Sequence, residues 1–105
     1  MFNTIEPNQI HYNHKETEYL LIDLRSRKEF NNDGLAGSIH IPYYELPDRL
    51  NELPTNKSLL FICNDGNMAG AARNFVKGYA RLTNIFALAE GVGAVHKLLE
   101  RQKAS

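Results

Sequence analysis

The feature that most constrains this chain is Ser58-Leu59-Leu60-Phe61-Ile62-Cys63, a short apolar run that stops at a cysteine and runs straight into Asn64-Asp65-Gly66-Asn67. An apolar run of this length, with aromatic and β-branched members, has the size of one fully buried strand. The following four residues form a dense turn signal, because Gly and Asn tolerate positive φ and Asn and Asp side chains bond nearby backbone groups. From Met68 onward Ala, Arg, Phe, Val and Lys read as a helix. A strand, a tight loop and a helix start place Cys63 at the carboxyl end of a strand, where open α/β sheets bind ligands. Amides of the loop and of the first helical turn would then face the sulfur and any anion beside it.

The rest of the chain repeats the alternation. Phe2 to Ile5 fits a short strand, and Pro7 to about Tyr12 a short helix opened by proline. Tyr19-Leu20-Leu21-Ile22-Asp23-Leu24 is a second strand-like run. Arg25 to Phe30 reads as a helix, with Ser26 and Glu29 at capping-box spacing and Glu29 within reach of Arg25 as an ion-pair partner. Ser38 to Pro42 fits a short edge strand closed by proline. Leu46, Leu50 and Leu53 recur at helical spacing. Ala72, Phe75, Val76 and Tyr79 form one apolar helix face, and Asn84 to Leu88 gives a further strand. Gly91 and Gly93 flank a turn before a last helix marked by Val95, Leu98 and Leu99. Strands alternating with helices predict an α/β fold of three layers around a parallel sheet.

Composition bounds the function. The chain of 105 residues has room for one core, so one domain over residues 1–105 is expected. Twelve basic and twelve acidic side chains cancel, which gives no footing for nucleic acid or a membrane surface as partner. No apolar stretch nears the roughly 20 residues that span a bilayer. The first residues lack a basic-then-apolar leader, and a single cysteine excludes an internal disulfide. The expectation is a cytoplasmic protein.

Four segments, in order and at matching spacing over nearly the whole chain, resemble the single-domain rhodanese-like family. Asp23-Leu24-Arg25 with Glu29-Phe30 is similar to that family's Asp-x-Arg…Glu-Phe segment. Gly37-Ser38-Ile39-His40-Ile41-Pro42 is similar to its Gly-Ala-x-Asn-Ile-Pro segment, Cys63 to Asn67 to its Cys-x-x-Gly-x loop, and Glu90 to His96 to its Gly-Gly-x-x-Ala-Trp segment. The resemblance implies a five-stranded parallel sheet between helices. It also implies that Cys63 is the nucleophile of a sulfurtransferase, carrying a sulfane sulfur as a persulfide with no metal or organic cofactor. Asn64, Asp65, Gly66, Asn67, Met68 and Ala69 would be its substrate-binding loop. Such chemistry needs a thiolate, and a free thiol with a pKa of about 8.5 is only a few per cent ionised at neutral pH. Ringed N–H groups and a helix dipole would favour the anion.

Two departures bear on substrate. Many active relatives carry arginine directly after the cysteine and near the loop's end, where this chain has Asn64 and Met68, and Asp65 adds a negative charge. A small sulfur-donor anion such as thiosulfate is therefore a poorer expectation than a persulfide donor. A phosphatase on the same fold would need an arginine where Ala69 stands.

Other readings stay open. A cysteine ending an apolar strand also serves as core filling, so a non-catalytic rhodanese-like binding or regulatory module is the alternative, with redox sensing through Cys63 a third. Asp23 and Arg25 read as structural ties at a strand end. His11 and His14 are three apart with no third ligand near in sequence, and His40 and His96 read as a turn residue and a packing aromatic. Arg73, Lys77 and Arg81 form a basic stripe at helical spacing, an exposed face or a docking patch for a sulfur-relay protein.

Overall fold

The computed structural model describes residues 4–9, 19–80 and 84–104. Its sheet has five strands, β1 (Thr4–Ile5), β2 (Leu20–Asp23), β3 (Ile39–His40), β4 (Leu59–Ile62) and β5 (Ile85–Leu88), in the order β1-β5-β4-β2-β3. Every neighbouring pair is parallel. Helix α1 (Arg27–Asp33) joins β2 to β3, α2 (Asn67–Ala80) joins β4 to β5, and α3 (Val92–Ala104) follows β5. The chain moves outward from β2 to β3, returns to β4 and then proceeds the other way to β5. The direction of winding therefore reverses between β2 and β4, and open α/β sheets bind ligands beyond the carboxyl ends of strands at such a point.

Pairing fixes what stands at that point. β2 and β4 run in register with Asp23 opposite Ile62, so Leu24 and Cys63 leave the sheet side by side. The pleat decides which way each points. Leu59, Phe61 and Cys63 belong to one core cluster, with Ile22, Leu24, Ala69, Ala72 and Val76. Leu60 and Ile62 belong to the other, with Leu21, Leu88, Val92 and Val95. Alternation along β4 thus turns Cys63 toward the α2 side of the sheet. Phe61, Leu60, Ile62 and Ile22 are fully buried, as strands covered on both faces require.

Local signals are realised with small shifts. Ser26 caps α1 in a complete capping box with Glu29, and Gly34 ends the helix. β3 lies at the sheet edge and is followed by Pro42, the place for a residue without an amide proton. The segment with Leu46, Leu50 and Leu53 is a 3-10 helix, Tyr43–Glu52, with Pro47 inside it and a non-helical Arg49 at φ −123°. The missing amide of proline and its clash with the preceding turn account for the departure from α geometry. Pro7–Gln9 is likewise a single 3-10 turn, and the remainder of the helix expected to Tyr12 lies outside the described residues, as do His11, His14 and Arg81.

Two charged positions differ from expectation. Arg25 does not pair with Glu29. Its guanidinium donates to Asp23 at 3.0 Å and to Asp33 at 2.8 Å, with its own side chain 3% exposed. Burial of Asp23 decides this, since an enclosed carboxylate must be paired whereas Glu29 has solvent and other partners. Arg73 is not part of an exposed stripe: it is buried, and its Nε donates to the Ile85 carbonyl at 3.3 Å. Lying one position from Ala72 and three from Val76, it runs its apolar stem along the covered face of α2. Lys77 is exposed.

Candidate active site

Cys63 follows β4 directly, and its loop closes onto the start of α2. The Gly66 amide donates to Cys63 Sγ at 3.1 Å and the Ala69 amide at 3.4 Å. Both donors are products of one local conformation. Gly66 sits at φ +90°, which a side chain would oppose, and its carbonyl accepts from the Gly70 amide to begin the helix. The first-turn amides of a helix have no partners within it; in α2 the Ala69 amide turns to the sulfur and the Asn67 amide to Asp65. The Cys63 residue is 1% exposed.

Asp65 is the third neighbour of the sulfur. The Cys63 thiol donates to Asp65 Oδ1 across 3.8 Å. That oxygen also accepts from the Asn67 amide at 2.9 Å, and Oδ2 from Asn67 Nδ2 at 3.3 Å, an Asx-turn that holds the carboxylate in place. Asn64 faces the other way: its Nδ2 donates to Glu29 Oε2 at 2.7 Å. The hydrogen bond from Asn64, with those from the Ser26 side chain and backbone, holds the Glu29 carboxyl below the ordinary glutamate range. Met68 is exposed on the outer side of the first turn, and Ala69 is buried beneath it.

Four of the six residues from Asn64 to Ala69 bear on the sulfur, by different means. Gly66 and Ala69 act through backbone amides, Asp65 through its carboxylate, and Asn67 by fixing Asp65. Asn64 and Met68 lie on the loop's exposed side, Asn64 bonded to Glu29.

Sequence reading missed three supports. Glu29 reads locally as a helix cap, yet it also anchors Asn64. The Val92 amide donates to the Cys63 carbonyl at 2.9 Å, tying the start of α3 to the loop. A Cβ at Gly91 would lie 1.6 Å from the Asn64 carbonyl oxygen, so only glycine permits this approach. The glycine pair around Val92 was visible as a turn, but its partner across the sheet was not. The two described histidines are structural: His40 Nε2 donates to the Arg25 carbonyl at 2.7 Å and its ring stacks on Phe30, while His96 Nε2 donates to the Asp33 carbonyl at 2.6 Å rather than merely packing.

Comparison with known proteins agrees with this fold. A sulfurtransferase of Allochromatium vinosum is 25% identical over 88 residues, covering 81% of this chain and 82% of that protein. YrkF of Bacillus subtilis, provisionally named a sulfur carrier protein, is 30% identical over 67 residues, 62% of this chain but only 36% of the relative's length. Among solved structures, a rhodanese-related protein from Thermoplasma volcanium superposes with a TM-score of 0.79 at 27% identity, covering 91% of this chain and 92% of the other. No helix among the described residues is long and apolar enough to cross a membrane. The family model of the rhodanese-like domain matches residues 6–98, and the chain belongs to that family.

Proposed function

We propose that this chain is a sulfurtransferase in which Cys63 takes up a sulfane sulfur and hands it to a thiophilic acceptor. The Cys63 thiolate attacks the donor's sulfane sulfur, the bond from that sulfur to the leaving group breaks, and the leaving group departs with the electron pair. An acceptor thiolate, or cyanide, then attacks the outer sulfur and restores the Cys63 thiolate. What carries the reading is the convergence of the Gly66 and Ala69 amides on Sγ. Fixed N–H donors on Sγ hold the negative charge of the attacking and departing thiolate, with no reorganisation during the reaction. Family membership supports the same chemistry, and the sulfurtransferase name of the Allochromatium relative is consistent with it.

Enclosure of Cys63, at 1% exposure, favours one other reading, a rhodanese-like binding module that no longer turns over. Thiocyanate formation from cyanide, with thiosulfate or a small persulfide as donor, separates the two. The sulfurtransferase gives thiocyanate with at least one donor and none after Cys63→Ser. A folded wild-type chain that gives none with any donor is the module.

A further inference from the structure

The carboxylate of Asp65 stands 3.8 Å from the sulfur that any donor must reach. It cannot swing away cheaply, because the backbone and side-chain N–H groups of Asn67 hold both its oxygens. Asp65 has no salt-bridge partner among the described residues. The Arg25 guanidinium is committed to Asp23 and Asp33, and that of Arg73 to the Ile85 carbonyl and Asn74. The loop also bonds a second carboxylate, Glu29, through Asn64. The amides that face Sγ belong to the sulfur itself and leave the donor's remaining charge uncompensated.

We propose that Asp65 selects the sulfur donor by charge, disfavouring dianions such as thiosulfate and admitting persulfides whose carrier places positive charge next to the sulfane sulfur. This rests on the sulfur-transfer reading of Cys63. With thiosulfate, the Cys63 thiolate attacks the outer sulfur, the sulfur–sulfur bond breaks and sulfite leaves with the pair. Two negative charges must therefore come within a few ångströms of Asp65. With cysteamine persulfide, the same attack expels the cysteamine thiolate, and the ammonium two carbons away meets the carboxylate favourably. Asp65 is solvent-exposed, so water and salt screen the effect to about three- to tenfold rather than to many powers of ten.

The test is the initial rate of one-sulfur mass gain on the full chain with thiosulfate and with cysteamine persulfide, at low and at raised ionic strength. Asp65→Asn keeps the oxygen that accepts from the Asn67 amide while removing the charge, and Asp65→Glu keeps the charge. The expected result is that Asp65→Asn shifts the thiosulfate-to-persulfide rate ratio about three- to tenfold toward thiosulfate at low salt. The shift shrinks with added salt, and Asp65→Glu stays near the wild-type ratio. An unchanged ratio in Asp65→Asn, or equal shifts in both variants, overturns charge selection while leaving sulfur transfer by Cys63 intact. Absence of any mass gain with both donors in the wild type removes the underlying reading, and this inference with it.

Discussion

Glu29 and Asn64, far apart in the chain, are joined by a 2.7 Å hydrogen bond from the asparagine amide to the carboxylate. One side chain therefore serves two elements, since Glu29 also accepts from Ser26 to complete the cap of α1. The bond ties the first turn of α1, which follows β2, to the loop that follows β4, the two strands flanking the reversal of winding, and so braces the loop beside Cys63.

The shared carboxylate gives a pH signature. Its folded-state value lies below its ordinary 4.5, so its contribution is complete above the unfolded range and is lost as pH falls through the folded value. Glu29→Gln is expected to lower the urea midpoint at neutral pH, and the difference from wild type should close as both are acidified. A gap that persists unchanged in acid would show that charge on Glu29 has no part in it.

Asp23 and Arg25 carry a larger effect. Asp23 is fully buried and accepts from the Arg25 amide, Nε and Nη2. Asp23→Asn leaves a buried guanidinium short of a counter-charge, and the expected loss is about 3–5 kcal/mol in denaturant unfolding. A loss below about 1 kcal/mol would show that Asp33 alone satisfies Arg25.

Two glycines should respond in opposite directions to the same change. Gly91→Ala puts a methyl into the Asn64 carbonyl, where backbone must give way, and should cost about 2–4 kcal/mol. Gly78→Ala, inside α2 with nothing within 4 Å of the new methyl, should raise stability by about 0.5–1 kcal/mol. Thermal or urea unfolding of the pair checks both signs.

Much of the fold was legible because its signals are local. The runs at Leu20–Asp23 and Leu59–Ile62 are long and apolar enough to be read as buried strands, and Ser26 with Glu29 spelled out a cap that the structure contains. Gly66 was recognisable as a turn glycine, and its positive φ is what aims the amides at sulfur. What stayed hidden depends on residues distant in sequence. Arg73 has the spacing of an exposed stripe, and only the position of the Ile85 carbonyl makes it a buried donor. Arg25 had two plausible carboxylates within a few residues, and burial of Asp23, a tertiary fact, chose between them. Asp65 was visible as a charge in the loop, but its distance to sulfur required the fold.

The account stands on sulfur bound covalently at Cys63. Intact-protein mass spectrometry after brief exposure of the full chain to cysteamine persulfide measures that directly. The predicted result is a gain of one sulfur mass, removed by cyanide and absent in Cys63→Ser. A wild-type mass that does not change, in a chain that remains folded, would contradict it.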